Sequence, residues 1–442
     1  MEWINAKLLG IGVPCVLVLV GLFFTLRVGL LCARHPIRML RGMLEKPGNG
    51  TSPVRALTLA LAGTLGVGNL VGVASAIYYG GPGAVFWMWV SALVAMSLKY
   101  AEVVLAVSHR RTDPSGQHCG GAMYYIVDCF ASRGLGGLGR VLAAAFAVLC
   151  VIDGISMGCV IQTNAIGGAF EGICGIPGIW TGVALCLLTA LVMLGGSARI
   201  MRATDLLVPI MTGGFLLLSL AVLVLRAGQI PRALQSIFSA VFLPKSAIGG
   251  IGGFAMARAL RYGTMRGLVS NEAGCGTAPI AHACADTNHP AKQGFWGIFE
   301  VFADTLVLCS MTALVILVSY DKVVIYGENS IMMTVRAYTD VLGQGAGYFL
   351  CVAVLFFGFA TVVCWGHYAI EALSYLTKNK GVRLGFICLF SIGALVGTVA
   401  APTVLWNIAD LAIGVMTLIN LGVLALMQGE VRAWTVDFFR RR

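Results

Sequence analysis

Between Arg55 and Lys99 the sequence carries no charged residue, but glycines at positions 63, 66, 68 and 72 and the polar Asn69 interrupt this apolar run. Such a run is long enough to cross lipid, where the backbone must satisfy its own hydrogen bonds. An irregular turn is tolerated there only beside protein or a water-filled cavity. We therefore predict a broken membrane helix, whose free carbonyls could bind a cation and whose free N–H groups could bind an anion. Close packing of helices through small residues is the alternative for this stretch taken alone.

The composition indicates that the chain folds in a lipid bilayer and not in water. Hydrophobic residues make up 58% of the 442 residues, charged residues make up 11%, and the mean hydropathy is +0.89. Soluble domains have roughly 25% charged residues. The length accommodates about ten spans of ~20 residues and leaves no large stretch for a soluble domain. The net charge of +11 belongs mostly to short loops, so we expect a lipid bilayer, not nucleic acid, as the partner.

Eleven apolar spans can be traced, and they predict an all-α polytopic membrane protein. They cover residues 8–26, 56–79, 83–106, 141–170, 175–195, 206–225, 258–286, 295–319, 344–376, 384–400 and 404–427. Residues 228–257 are expected to form an outer loop with a short re-entrant or surface piece. Arg199 and Arg202 are expected to join two spans, and Lys99 and Glu102 can pair on one helix face.

The distribution of lysine and arginine predicts the orientation. Most of these residues fall on one side of the membrane if the N-terminus is outside, so the C-terminus is expected in the cytoplasm. The absence of an organelle targeting sequence favours a plasma membrane, in particular a bacterial inner membrane.

A second glycine-rich and polar stretch, from Ser270 to Pro279, resembles the first break. Without the first span ten remain, and each set of five then begins with a broken helix. Paired interruptions of this kind indicate inverted repeats and the central site of a secondary transporter. The predicted units are an extra helix (1–33), a first five-helix repeat (34–227), an outer loop with a second repeat (228–428) and a cytoplasmic tail (429–442).

Other classes of protein fit less well. No HExxH, GxSxG or spaced carboxylate–histidine cluster is present, so we do not expect an enzyme. A channel would be expected to show a repeated filter sequence, which is absent.

Two motifs resemble the signatures of the alanine/glycine:cation symporter family, within the amino acid–polyamine–cation transporters. The first is GVGNLVGVA (66–74) followed by GGPGAVFWMW (80–89) and KYAE (99–102), and the second is SNEAGCGTAPIAHA (270–283). The resemblance implies a leucine-transporter-like fold of ten core helices, arranged as a 5+5 inverted repeat, with one extra N-terminal helix. It also implies sodium-coupled import of small neutral amino acids, with Na⁺ as the co-transported ion and no obligate protein partner.

The chain departs from the family pattern at a few positions. These are Val67, Cys275–Thr277, Trp365–Tyr368 and Ile419–Asn420. They leave open whether glycine, L-alanine or D-alanine is preferred, and a proton-coupled carrier of a small neutral amino acid is the alternative function.

A zwitterionic amino acid needs an anion site next to a cation site, and the broken helices could supply both. The expected substrate-binding residues are Gly68, Asn69, Gln162, Ser270, Asn271, Gly274 and Trp365, with the indole limiting substrate size. The expected sodium ligands are oxygen atoms of Ala62, Thr64, Leu65, Asn69, Gly358 and Thr361.

Some of these residues have structural alternatives. Gln162 could join helices by hydrogen bonds, and Trp365 could be ordinary core. Glu272 is either functional or the ion-pair partner of an arginine such as Arg266. Glu300 and Asp304 are expected to be structural or gating residues.

Overall fold

The computed structural model describes residues 12–44, 51–112, 116, 118–242, 251–319, 330–400 and 403–440. Helices dominate this part of the chain, with one small antiparallel pair of strands, β1 (Arg111–Thr112) and β2 (His118–Cys119). The start of the first predicted span, residues 8–11, lies outside the described residues.

The first half of the chain forms ten helices. They are α1 (Val13–Phe24, continued by a π-helical turn, Thr25–Gly29, and by Leu30–Arg34), α2 (Pro36–Leu44), α3 (Pro53–Thr64), α4 (Gly68–Gly80), α5 (Gly83–Ser108), α6 (Ala122–Ala131), α7 (Gly136–Cys174, π-helical over Gly154–Val160), α8 (Gly178–Leu194), α9 (Gly196–Leu225) and α10 (Ile230–Phe242). A short 3₁₀ turn, Ala227–Gln229, precedes α10.

The second half continues with helices of similar character. They are α11 (Ile251–Asn271), α12 (Ala278–Ala283), α13 (Pro290–Val318, π-helical over Phe302–Cys309), α14 (Ser330–Leu342), α15 (Gln344–Leu376), α16 (Lys380–Val399), α17 (Thr403–Leu426) and α18 (Gln428–Arg440).

Seven of the described helices are long and apolar enough to cross a membrane, and the pair α3 and α4 raises that number to eight. The protein is therefore a helical, polytopic membrane protein. Three predicted spans do not meet this criterion: α1 and α8 are shorter apolar helices, and α11 ends at the second break, before α12. The predicted total of eleven spans requires these three segments in addition to the eight.

The predicted interruption of the first core helix is present. α3 and α4 bend by 51° at a short break. Leu65 ends α3 with φ −78° and ψ 60°, outside the helical region, and its N–H still bonds the Leu61 carbonyl at 2.7 Å. Glycines at positions 66 and 68 favour the break because glycine has a low helix propensity.

The second interruption depends on left-handed backbone. Gly274 and Gly276 have φ of 85° and 82°, a conformation that glycine adopts without a steric cost. Glu272, with φ of 51°, is the one non-glycine residue with positive φ in the described part of the chain. Pro279 then starts α12, where its missing N–H costs no helical bond.

Several predicted boundaries were wrong. The stretch 228–257, expected to be an outer loop with a short re-entrant or surface piece, contains the thirteen-residue α10, and α11 begins at Ile251, ahead of the predicted start at residue 258. Arg199 and Arg202 lie inside α9 instead of joining two spans, because that helix already begins at Gly196. The polar loop before α7 contains the ten-residue α6. Charged residues near helix ends obscured these boundaries, since apolar runs mark the lipid-facing length and not the full helix.

Helix packing places the two breaks next to each other. α5 packs against α11 and α13, α3 packs against α15, and α4 packs against α11. The second layer joins α7 to α15 and α17, and α8 to α16. Close approach of α11 to α5 depends on glycine, because a Cβ at Gly263 would lie 2.2 Å from the Ala84 carbonyl oxygen and one at Gly267 would lie 2.5 Å from Ser91 Oγ.

A buried charge network joins α5 to α13. Lys99 Nζ lies 3.3 Å from Glu300 Oε1, and His282 Nε2 lies 2.9 Å from Glu300 Oε2, with all three side chains inaccessible to solvent. Lys99 therefore pairs with Glu300 and not, as expected, with Glu102. Sequence spacing along one helix could not reveal a partner supplied by another helix.

The C-terminal helix α18 is fastened to α5 and α6 through one histidine. His109 Nδ1 lies 2.8 Å from Asp128 of α6, and its Nε2 lies 2.9 Å from Glu430 of α18. Arg111 also donates to both oxygens of Asp128. Only a protonated imidazole donates from both nitrogens. Burial opposes this charge, but hydrogen bonds to Glu430 and Asp128 outweigh it and raise the pKa of His109.

This histidine predicts a pH-dependent contribution to stability. Because the folded pKa is raised, the contribution is complete below about pH 6.5, the ordinary pKa of histidine, and is lost as the pH rises through the folded pKa. The melting temperature of the wild type should exceed that of His109→Gln at low pH, and the difference should shrink as the pH rises. His118→Gln is the control. Burial and Arg110 lower the pKa of His118, so this substitution should show no stability difference that shrinks as the pH rises. A constant difference for His109→Gln would contradict this assignment.

Candidate functional site

A cavity of about 690 Å³ lies beside the first break. Its walls come from α4, α7 and α11, with contributions from α14, α16 and α17. Of the predicted substrate-binding residues, three line it: Gly68, Gln162 and Ser270. A Cβ at Gly68 or Gly72 would meet no atom within 4 Å, so the backbone of α4 is open to the cavity there. A volume of this size falls within the range of about 300–1,000 Å³ that is usual for small-molecule sites.

The backbone at the first break is held by side chains from two other helices. Thr361 Oγ1 of α15 donates to the Ala62 carbonyl oxygen at 2.9 Å, and the Val67 N–H donates to Gln162 Oε1 of α7 at 3.1 Å. Gly66 lies between them, because a Cβ there would be 2.7 Å from Thr361 Oγ1 and 3.1 Å from Gln162 Oε1. The structure thus brings together two predicted sodium ligands, Ala62 and Thr361, and one predicted substrate residue.

Four buried polar side chains, which we call the Asp304 cluster, meet at the cavity wall, where Ser270 lines the cavity and the other three lie behind it. Asn69 Nδ2 donates to Asp304 Oδ1 at 2.6 Å, and Ser270 Oγ and Thr305 Oγ1 donate to Asp304 Oδ2 at 2.9 and 2.8 Å. Ser270 also lies 3.4 Å from Asn69 Oδ1. The cluster therefore ties both broken helices to α13.

The chemistry of the Asp304 cluster is that of a cation site. A carboxylate, two hydroxyls and an amide oxygen are hard oxygen donors, which alkali and alkaline-earth cations prefer. An ionisable side chain buried at membrane depth is costly and marks a functional position by default. No group of three or more histidine, cysteine or acidic residues that could hold a metal ion occurs among the described residues, so the cluster has one carboxylate and otherwise neutral oxygen donors.

Trp365 occupies a different place from the one expected. Its indole is 1% exposed and is not part of the cavity wall. Its Nε1 donates to Glu272 Oε1 at 3.1 Å, and Thr277 donates to Glu272 Oε2 at 2.7 Å. Glu272 therefore joins the second break to α15, and it is not the ion-pair partner of Arg266.

The backbone of the second break is satisfied by Glu102 and Asn420. The Gly276 N–H donates to Glu102 Oε1 at 2.9 Å, and Asn420 Nδ2 donates to the same oxygen at 2.6 Å and to the Gly274 carbonyl at 2.9 Å. Gly274 thus lies away from the cavity. Asn271, also predicted to bind substrate, donates to Thr305 at 3.2 Å and accepts from the Ala273 N–H.

The remaining predicted sodium ligands are Thr64, Leu65 and Gly358. They either form hydrogen bonds within their own helix or pack against neighbouring side chains. Thr64 Oγ1 lies 3.4 Å from the Ala60 carbonyl oxygen. Leu65 forms the end of α3. Gly358 of α15 packs closely on Ile166 and Val67, where a Cβ would lie 2.7 Å from Ile166.

Sequence reasoning missed the role of Asp304, Thr305 and Glu102 at the breaks. The signal for Asp304 was available, because it is an acidic residue within an apolar span. Its spacing from Glu300 instead indicated a helix end. Only the packing of α13 shows that Asp304 points at the first break.

A helical bundle with two interrupted helices beside a polar cavity is the architecture of a polytopic membrane transporter. The solved structure of MhsT in complex with L-phenylalanine has the same fold. The TM-score is 0.55 at 15% sequence identity, and the match covers 88% of this chain and 93% of that chain. At this level of sequence identity the likeness shows a shared fold.

The chain belongs to the sodium:alanine symporter family, whose model matches residues 1–442. The sodium/alanine symporter AgcS of Methanococcus maripaludis is 36% identical over 435 residues, covering 96% of this chain and 94% of that protein. The amino-acid carrier protein AlsT of Bacillus subtilis is 37% identical over 434 residues, covering 97% and 89%. The family predicted from the two motifs is confirmed, and so is a transporter as opposed to an enzyme.

The tight fit around Gly66 makes a testable prediction. Gly66→Ala should lower the stability of the protein by about 1–3 kcal/mol, the usual cost of overpacking a core, because the methyl group would displace Thr361 or Gln162 from the backbone. Gly68→Ala is the matched control, since its Cβ meets open space. Thermal unfolding of the two variants in detergent would test this, and equal melting temperatures would contradict it.

Proposed function

We propose that the protein is a sodium-coupled symporter that imports small neutral amino acids, alanine and glycine, by alternating access. The observation that carries this proposal is the arrangement of oxygen atoms at the first break. Ala62, before the break, is bonded to Thr361, and Asn69, after it, is bonded to Asp304, while Gly68 and Gln162 line the cavity.

Two positions support sodium binding. The first is at the carbonyl of Ala62 and the hydroxyl of Thr361, with oxygens of Thr64, Leu65 and Gly358 nearby in sequence. The second is the Asp304 cluster, which adds a carboxylate to Asn69. Sodium at either position would replace the present hydrogen bonds with contacts to the same oxygens, and so would fix the break in one geometry.

The substrate is proposed to bind where α4 begins. The open backbone at Gly68 and the positive end of α4 suit a carboxylate. Gln162 can exchange its bond to the Val67 N–H for contacts with the substrate, and Ser270, Asn271 and Gly274 supply the second break. Trp365 lies outside the cavity wall, so its proposed effect on substrate size is indirect, through its hydrogen bond to Glu272 at the second break.

The finer architecture is also part of the proposal. Eleven spans would comprise α1 and two inverted repeats of five, with the N-terminus outside a plasma membrane and the C-terminus in the cytoplasm. In these repeats α3, α5, α7 and α9 would correspond to α11, α13, α15 and α17. Helix contacts support this correspondence, because the contact of α9 with α15 is matched by that of α17 with α7, and the contact of α11 with α5 is matched by that of α3 with α13. In this orientation the cavity, which follows α4 toward Tyr79, opens to the outside.

Uptake of labelled alanine into proteoliposomes tests the coupling. An inward Na⁺ gradient should drive accumulation above equilibrium, whereas an equal K⁺ gradient at the same pH should not. Accumulation driven by a proton gradient without sodium would replace sodium by protons as the coupling ion. No accumulation of alanine or glycine under either gradient would overturn the proposed substrate.

The two cation positions can be tested separately by substitution. Thr361→Val and Asp304→Asn should each raise the sodium concentration needed for half-maximal uptake by about tenfold or more, the effect of losing one good oxygen ligand. Thr312→Val is the control, because Thr312 is a buried threonine that bonds only its own helix, at Leu308. An unchanged sodium dependence in either variant would remove that residue from the sodium site.

A further inference from the structure

Arg266 of α11 is a charged residue on the cavity wall. Its Nε is buried and has no hydrogen-bond partner among the described residues. It forms no ion pair with a carboxylate in the part of the chain that the structure describes, and Asp410 of α17 attracts it only from a longer distance. A guanidinium away from bulk water favours an anion, and its fork geometry matches a carboxylate.

The position of Arg266 separates it from the proposed central site. Arg266 lies four residues before Ser270 on α11, which is about 6 Å along the helix. Both residues line the same cavity. On the facing helix α7, Glu171 also lines the cavity, nine residues beyond Gln162 and therefore about 13 Å from it along the axis.

The outer part of the cavity thus presents charges of both signs. Arg266 lies on one wall and Glu171 lies on the other, while Trp406 of α17 adds an aromatic surface one turn before Asp410. A zwitterion has a carboxylate for the guanidinium and an ammonium group for the acidic wall. A cavity of about 690 Å³ is far larger than one alanine molecule, so it has room for a second.

We propose that the cavity contains an outer binding site for an α-amino acid, in which Arg266 binds the carboxylate and the ammonium group faces Glu171. This site would hold an amino acid before it reaches the central position at Gly68 and Gln162. The inference rests on the proposed amino-acid substrate. It requires no sodium, since the oxygen clusters belong to the central site.

Equilibrium binding of labelled alanine to the purified full-length protein tests this site. The wild type should bind two alanine molecules, and Arg266→Gln should keep the central one while its outer affinity falls about ten- to a hundred-fold, the effect of deleting a hydrogen bond to a charged group. Arg266→Lys, which keeps the charge, should retain the second molecule with weaker binding. Arg261→Gln is the control, because Arg261 is exposed on the same helix and lies over Tyr262.

Two probes test the chemistry of recognition. Propionate, which has the carboxylate alone, should compete for the outer site of the wild type but not affect Arg266→Gln. Ethylamine, which has only the ammonium group, should compete less well. If propionate competes equally in both proteins, Arg266 does not bind the carboxylate and the proposal is wrong.

The competing explanation is that Arg266 serves only as a partner for Asp410. Asp410→Asn separates the two, because it should leave two alanine molecules bound if Arg266 binds substrate. Loss of the second molecule in Asp410→Asn as in Arg266→Gln would overturn the outer site. So would a single bound alanine in the wild type.

Failure of this inference and failure of the proposed function give different results. Without an outer site, sodium would still drive alanine uptake and one alanine would still bind. If the protein does not transport alanine, sodium-driven uptake is absent, while propionate binding that depends on Arg266 would still show that the outer carboxylate site exists.

Discussion

The backbone of two interrupted helices must be satisfied where water is scarce, and the rest of the structure depends on this constraint. A free carbonyl or N–H group in an apolar surrounding is costly. Here the partners come from neighbouring helices. Thr361 and Gln162 bind the first break, while Glu102 and Asn420 bind the second. Each of these side chains therefore fixes the position of a helix whose series of backbone hydrogen bonds is interrupted.

These hydrogen bonds also bear on the proposal that the breaks bind sodium and substrate. A polar group that replaces water at a backbone atom can itself be replaced by a ligand of similar chemistry at little net cost. The Ala62 carbonyl accepts a hydrogen bond from the Thr361 hydroxyl, and the Val67 N–H donates one to the Gln162 amide oxygen. A ligand could replace either partner. The Asp304 cluster differs, because its carboxylate is a full charge that neutral donors satisfy, and it gains most from a cation.

The sequence was sufficient to predict the transporter family, because two of its motifs resemble the family's signatures. It was also sufficient to predict the two breaks and most of the helices, because glycine and polar residues in apolar runs have few structural interpretations. It also assigned Ala62 and Thr361 to one predicted site and Asn69 and Ser270 to another, and the structure places the two members of each pair next to each other. It could not predict the partners of Lys99 and Glu272, or that Asp304 faces Asn69, since these contacts join helices far apart in the chain. Trp365 shows the same limit, because its residue type suggested a wall of the cavity whereas its packing places it against the second break.

The glycine contacts between α5 and α11 have a mechanical consequence. Gly263 and Gly267 lie against Ala84 and Ser91 so closely that no larger residue would fit at either position, and the two helices are therefore in backbone-close contact over this length. α11 and α5 should therefore move as one rigid unit, and the Asp304 cluster attaches α13 and the start of α4 to that unit. In the proposed transport cycle we therefore expect the cavity to widen or narrow by rotation of this unit against α7 and α15, about the bonds of Gln162 and Thr361 to the first break.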